Sequence, residues 1–177
     1  MKKYIPNILT TYRLIVAMIL PILFCSKMYK ILFTNLIIAL MTDALDGTLA
    51  RHWQVTSNYG KIVDAIGDKI LAFSSSVIFI ISTNKLFFIT LILEIIIAAI
   101  NIINILKTHD IKEKFANHKS SKCGKIKTIF LFILLGVSGL SFKFSNLNII
   151  ITSLIFATAI MQILSAIDYL KKNQLKN

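Results

Sequence analysis

The sequence predicts an all-helical membrane protein, a bundle of six transmembrane helices with a short amphipathic surface helix before the first one. Hydrophobic residues make up 56% of the 177-residue chain and charged residues only 16%, which is too apolar for a soluble domain. About six stretches are apolar over roughly 20 residues, the length that crosses a bilayer, and short polar connections separate them. No linker divides the chain, so residues 1–177 are predicted to form a single domain.

The positions of the apolar stretches give the expected elements. Met1–Leu9 is basic and amphipathic, which predicts a helix lying on the membrane surface. The spans are then expected at about Thr10–Ser26, Lys30–Trp53, Tyr59–Ser82, Leu86–Leu106, Ile126–Phe142 and Leu147–Leu170. Gln54–Asn58 is a polar loop, and Lys107–Lys127 is a basic segment with seven lysines. Both connections therefore fall between spans, and we expect the basic one to remain in the cytoplasm.

The basic residues that give the net charge of +12 flank apolar spans, as the positive-inside rule for membrane topology expects. This charge therefore gives no reason to expect a nucleic-acid partner. With the N-terminus inside, only four of the 20 lysines and arginines fall on the outer side: Lys27, Lys30, Lys85 and Lys143. This asymmetry predicts a multi-pass protein of a bacterial cytoplasmic membrane with both termini on the cytoplasmic side. The connection between spans two and three then lies at the cytoplasmic face as well.

Four carboxylates stand out in this apolar chain, and all lie between residues 43 and 68. Asp43 and Asp46 are three residues apart near the end of the second span, and Asp64 and Asp68 are four apart in the third. Each spacing puts both carboxylates on one face of a helix, so two antiparallel helices can direct all four into one cleft. Carboxylate oxygens without His or Cys suit hard ions such as Mg²⁺ or Mn²⁺. A two-metal site for a phosphate-containing substrate is the expectation.

The residues between the acids suit a nucleotide diphosphate. Small residues remove side-chain bulk where a ligand approaches the helix backbone, and Arg51 can form a forked contact with phosphate. The small residues are Gly47, Ala50 and Gly60. The alternative is that the acids form structural ion pairs with Lys61, Lys69 and Arg51, although two spaced acidic pairs exceed what pairing requires.

The whole stretch has the spacing D-x2-D-G-x2-A-R-x8-G-x3-D-x3-D and resembles the signature of the CDP-alcohol phosphatidyltransferase family at every fixed position. The resemblance implies six transmembrane helices, a preceding surface helix and usually a homodimer in the lipid bilayer. It implies that Asp43, Asp46, Asp64 and Asp68 hold two divalent ions and that Asp68 is also the base for the acceptor hydroxyl. The CDP group of CDP-diacylglycerol would lie against Asp43, Asp46, Gly47, Ala50, Arg51 and Gly60.

Two flanking segments narrow the resemblance to bacterial phosphatidylglycerophosphate synthases, which implies glycerol 3-phosphate as the acceptor. They are PNILTTYR, which contains Thr10 and Arg13, and SKCGKIKT, which contains Lys122, Lys125 and Lys127. These five residues are the candidates for binding the acceptor phosphate. Arg13 equally suits contact with lipid headgroups, and the lysines equally suit anchoring at an anionic membrane surface.

One departure from the pattern concerns the fourth span. Leu93 and Asn101 stand where those synthases are expected to carry arginines, so the acceptor is less well defined than the reaction. Glu94, between them, either orders a neighbouring polar group or is a structural hydrogen-bonding group inside the bundle.

The sequence leaves two alternative functions. The first is the same phosphatidyl transfer to another acceptor, namely serine, inositol phosphate or phosphatidylglycerol. The other is a small cation transporter, which the clustering of the acids at one depth disfavours.

Overall fold

The computed structural model describes residues 5–52, 58–107 and 122–174. Within these ranges some side chains lie outside the description, among them those of residues 43–52, 58–62, 64, 65 and 122. The described residues are helical, with no strand. The helices are α1 (Ile5–Cys25), α2 (Tyr29–His52), α3 (Asn58–Ser82), α4 (Phe87–Lys107), α5 (Lys122–Leu140) and α6 (Asn148–Gln174), with a 3₁₀ turn at Ser145–Leu147 before α6.

The apolar surface of these helices confirms the predicted membrane bundle. In the described part of the chain, three stretches are long and apolar enough to cross a membrane: Ile8–Cys25, Cys123–Leu140 and Asn148–Lys171. Shorter apolar segments in α2 and α4 cover Tyr29–Thr42 and Phe87–Ile103. Large apolar side chains such as Ile81 and Ile149 are exposed on the outside, as expected where lipid replaces water.

Residues 5–9 of the predicted surface helix are helical and form the first turns of α1, with no break before the first span; residues 1–4 lie outside the described residues. The physical reason is that nothing between Pro6 and Thr10 ends a helix. Proline is well tolerated in a first turn, where its missing N–H has no partner to lose, and no glycine or second proline follows before Pro21.

Three connections meet at one end of the bundle. The rings of Tyr29 and Phe142 stack with centroids 5.0 Å apart. The Thr83 and Ser141 hydroxyls are 3.2 Å apart, and the Asn84 amide donates to Thr152 Oγ1 at 3.1 Å. Successive helices therefore alternate in direction. The end of α2 and the starts of α3 and α5 belong to the opposite end, which we call the motif end.

Helix α3 lies at the centre of the packing. Helix α1 contacts both α2 and α3, while α6 contacts α4 and α5. Helix α3 joins the two groups by packing on α1, α4 and α5, and its Leu71 and Phe79 are fully buried in the main apolar core. Helix α3 is consequently in contact with more than one neighbouring helix.

The close packing of α5 on α2 leads to a first prediction. It concerns the effect on stability of alanine substitutions at two glycines of α5. A Cβ on Gly139 would lie 2.6 Å from the Phe33 ring, whereas one on Gly136 would be 3.9 Å from its neighbours. Overpacking costs about 1–3 kcal/mol and alanine returns up to about 1 kcal/mol of helix propensity, so Gly139→Ala should lower stability by about 1 kcal/mol.

Thermal unfolding in detergent measures this difference. Gly136→Ala is the matched control and should unfold at or above the temperature of the parent protein. Equal unfolding temperatures for the two variants would contradict the packing of α5 against Phe33.

Candidate active site

The motif lies on two helices that both end or begin at the motif end. Asp43, Asp46, Gly47, Ala50 and Arg51 belong to the last part of α2, and Gly60, Asp64 and Asp68 to the first half of α3. Only the side chain of Asp68 is among the described ones. The helical placement of both halves is confirmed, while the convergence of the four carboxylates stays a prediction.

Asp68 forms an ion pair with Arg13 of α1. Arg13 Nη2 lies 3.2 Å from Asp68 Oδ1, and the Arg13 side chain is fully buried whereas that of Asp68 is 31% exposed. The Asp68 carboxylate is therefore partly accessible, whereas the guanidinium behind it is enclosed. A buried charge of this kind requires its partner, because desolvation of an unpaired guanidinium is very costly.

The neighbours of Arg13 are equally enclosed. Thr10, one turn earlier on α1, is buried, and its carbonyl oxygen and Arg13 Nε both lie close to Gly67 of α3. A Cβ on Gly67 would be 3.6 Å from Arg13 Nε, an ordinary contact distance. The α1–α3 contact is thus close but not strained at this level.

The next residue, Lys69, points to a second charged cluster formed by α3, α4, α5 and α6. The Glu94 carboxylate of α4 accepts a hydrogen bond from Lys69 and two from Lys127 of α5, at 2.9 Å to Oε1 and 2.8 Å to Oε2. The Gln162 amide of α6 donates to Glu94 Oε2 at 3.1 Å and to the carbonyl of Thr90 at 3.2 Å. We call Lys69, Glu94, Lys127 and Gln162 the Glu94 cluster.

The cluster decides two open points. Lys69, considered as a partner of the motif acids, bonds to Glu94 among the side chains that the structure describes. Glu94 itself is a hydrogen-bonding group of the bundle interior that also orders two lysines. Its carboxylate is only 12% exposed, so both ammonium groups serve to neutralise a largely buried charge.

The three candidate lysines for the acceptor phosphate have different surroundings. Lys125 is exposed, Lys127 is buried with its ammonium on Glu94, and the side chain of Lys122 lies outside the described residues. Leu93 and Asn101, the positions without arginine, are both half-buried.

Sequence reasoning did not find the Glu94 cluster as a unit. A signal existed, because Glu94 and Gln162 are polar groups within strongly apolar helices and Thr90 precedes Glu94 by one turn on the same face. What the sequence lacks is the distance between α3, α5 and α6, so the partners of Glu94 were not identifiable.

Comparison with known proteins agrees with the bundle and motif. The sequence profile of the CDP-alcohol phosphatidyltransferase family matches residues 3–168. The CDP-diacylglycerol–glycerol-3-phosphate 3-phosphatidyltransferase of Haemophilus influenzae is 34% identical over 177 aligned residues, covering 97% of this chain and 94% of that protein. The proteins of the same name from Pectobacterium atrosepticum and Rickettsia typhi are 31% and 35% identical to this chain. These alignments cover 40% and 39% of this chain, and 41% and 40% of those proteins.

A helical membrane bundle with this carboxylate motif is typical of enzymes that transfer a substituted phosphate group from a CDP-linked donor to an alcohol. The chain belongs to the CDP-alcohol phosphatidyltransferase family. It acts in phospholipid synthesis, and its family generally depends on divalent metal ions. The apolar helices and the bacterial relatives together indicate a bacterial inner-membrane protein.

The buried ion pair makes a second prediction. Arg13→Met leaves the Asp68 carboxylate without its buried partner, and because Asp68 is partly exposed the expected loss is roughly 2–3 kcal/mol, less than for a fully enclosed pair. Thermal unfolding in detergent measures the change.

Gly67→Ala is the matched control at the same contact, since its added methyl group meets Arg13 at an ordinary distance. An Arg13→Met variant as stable as the Gly67→Ala variant would show that the ion pair does not stabilise the α1–α3 contact.

Proposed function

We propose that this enzyme transfers the phosphatidyl group of CDP-diacylglycerol to glycerol 3-phosphate, giving phosphatidylglycerophosphate and CMP. The observation that most supports a catalytic site here is the Asp68 carboxylate, which is accessible on one side and bound to a buried arginine on the other. The Haemophilus influenzae relative, which is aligned over 94% of its length, is named for these two substrates, and this supports the choice.

The donor set suits a pair of divalent ions, Mg²⁺ or Mn²⁺. Asp43, Asp46, Asp64 and Asp68 supply carboxylate oxygens only, the ligands that hard cations prefer, and Asp68 is partly exposed. When bound, such ions would neutralise phosphate charge and favour departure of CMP. Gly47, Ala50, Arg51 and Gly60 would contact the CDP group, with Asp43 and Asp46 beside it.

The proposed step for Asp68 is proton transfer. Its carboxylate accepts the proton of the acceptor hydroxyl as the hydroxyl oxygen forms a bond to the phosphorus that carries diacylglycerol. The bond from that phosphorus to the CMP oxygen breaks, and CMP leaves with the electron pair. Arg13 orients the Asp68 carboxylate by pairing with Oδ1.

For the acceptor phosphate we propose Lys125 and Lys122 first, with Lys127, Arg13 and Thr10 as further candidates. Lys125 is exposed, whereas Lys127, Arg13 and Thr10 are buried and the first two of these have carboxylate partners. An exposed ammonium exchanges water for phosphate more readily than one already bound to a carboxylate. Burial therefore favours a supporting role for Arg13 and Thr10.

The proposed orientation has both termini and the motif end at the cytoplasmic face, because most lysines and arginines flank that side. This arrangement gives water-soluble glycerol 3-phosphate and CMP direct access to the site. We also propose a homodimer, which rests on the family resemblance alone.

The proposal is tested with purified protein in detergent supplied with CDP-diacylglycerol. CMP release should require glycerol 3-phosphate and Mg²⁺ or Mn²⁺, and a chelator should abolish it. Serine, inositol phosphate and phosphatidylglycerol should support little or no release. If one of these alcohols supports release and glycerol 3-phosphate does not, the acceptor assignment is wrong.

A variant at Asp68 tests the proposed base. Asp68→Asn keeps a side chain of the same size that can still contact Arg13, but it no longer accepts a proton. CMP release should fall by about 10²-fold or more, the contribution typical of a positioned base, while the protein remains folded but less stable, because Arg13 loses its charged partner.

Asp168→Asn, on α6 outside the motif, makes the same chemical change and should retain the parent rate. Near-parent turnover of Asp68→Asn would remove the assigned role.

A further inference from the structure

Adjacent residues on α3 are held by charges on different helices. Asp68 pairs with Arg13 of α1, and Lys69 pairs with Glu94 of α4. Successive residues project about 100° apart around a helix, so these two pairs act on α3 from different directions. Rotation of α3 about its axis would weaken at least one of them.

Glu94 is the point where three other helices meet α4. Its two oxygens accept from Lys69 of α3, Lys127 of α5 and Gln162 of α6. Gln162 is fully buried and also bonds to the backbone of α4 at Thr90, so the carboxylate is held on its own helix as well. Displacing Glu94 therefore disturbs α3, α5 and α6 together.

Apolar packing alone does not fix Lys69. A cavity of about 110 Å³ lies beside it, lined mainly by apolar side chains such as Phe73, Leu91 and Leu131. The Lys69 side chain is 39% exposed, and its ammonium group has Glu94 as its carboxylate partner. Because space is available around the lysine, the ion pair with Glu94 restrains the Lys69 side chain where apolar packing leaves it room.

Stability alone is a weak explanation for such a cluster. Two ammonium groups share one carboxylate in a mostly apolar interior, and well-packed apolar residues are often at least as stabilising as buried ion pairs. What apolar residues do not supply is a requirement for particular partners, since a largely buried carboxylate is costly unless its hydrogen-bond donors stay within reach. One member of the cluster, Lys69, directly follows the proposed base Asp68 in the sequence.

We propose that Glu94 is a positioning residue for phosphatidyl transfer. By binding Lys69, Lys127 and Gln162 together, it sets the rotation of α3 and hence the direction of the Asp68 carboxylate towards the acceptor hydroxyl. This inference rests on the proposed function. Misplacement of a reacting group by about 1 Å can cost about 10²-fold in rate, so a role of this kind acts on kcat.

The test compares Glu94→Gln and Glu94→Asp with the parent enzyme. Glutamine keeps the size but loses the charge, and aspartate keeps the charge but is too short to reach both lysines. Glu113→Gln is the matched control, since Glu113 is the other glutamate of the chain and belongs to the basic segment between α4 and α5. Unfolding temperature, kcat and the KM for each substrate are measured for every variant.

The expected result is a fall in kcat of about tenfold or more in both Glu94 variants, with the KM for glycerol 3-phosphate changed by less than about twofold. Glu113→Gln should match the parent. An unchanged kcat in a folded Glu94 variant would overturn the proposal. So would a loss confined to KM, because it would mean that Glu94 acts on acceptor binding.

A further variant covers the case in which neither single substitution folds. Combining E94L, K69M and K127M replaces all three charges by apolar groups, which the bundle should accommodate. A folded combined variant with kcat reduced about tenfold or more at saturating acceptor supports the proposal. Retained kcat, or failure of this variant to fold as well, shows a purely structural cluster and overturns it.

The parent enzyme separates this inference from the proposed function. If the parent releases no CMP with glycerol 3-phosphate, the proposed function fails. If the parent is active and the Glu94 variants keep its kcat, only the positioning role fails.

Discussion

Charged side chains inside an apolar bundle must be neutralised by partners, and this constraint determines the arrangement around α3. Arg13 is fully buried and pairs with Asp68, while the largely buried Glu94 binds Lys69 and Lys127. An unpaired Arg13 or Glu94 side chain would be strongly destabilising here, because the desolvation free energy of an isolated charge exceeds the free energy gained by packing. The charges therefore specify which helices lie next to α3 and at what level along it.

The same constraint gives the site its form. The Asp68 carboxylate pairs with the buried guanidinium of Arg13 and is itself partly exposed, so it is both oriented and accessible. Displacement at phosphorus requires little covalent chemistry from a protein, and most of the rate acceleration comes from position and electrostatics. A site of this kind depends on rigid support, and ion pairs on neighbouring residues of one helix provide such support.

The lysines of the α5 start illustrate how neighbours in sequence can differ in role. Lys125 is exposed and Lys127 is buried on Glu94, although they are two residues apart. On a helix this separation turns one side chain about 200° from the other, so the two face different surroundings. The basic composition of a segment consequently does not show that all of its lysines belong to one phosphate-binding site.

Much of the fold was predictable because the signals are local. The apolar stretches predicted helices close to their observed bounds, and the spacing of Asp43, Asp46, Asp64 and Asp68 predicted two helices carrying the motif. The first span and the residues before it are continuous in α1, because an amphipathic turn followed by an apolar run contains no residue that ends a helix. Amphipathicity describes a surface preference and does not by itself mark a boundary.

By itself, the sequence determined the helices, the membrane class and the reaction class, since each depends on composition or on residue spacing within one or two helices. Only the tertiary structure decided the partners of Arg13, Lys69 and Glu94. Those contacts join residues separated by 25 to 68 positions, as in the bonds of Glu94 to Lys69 and to Gln162. Their geometry follows from how the helices pack together, which no local pattern of side chains encodes.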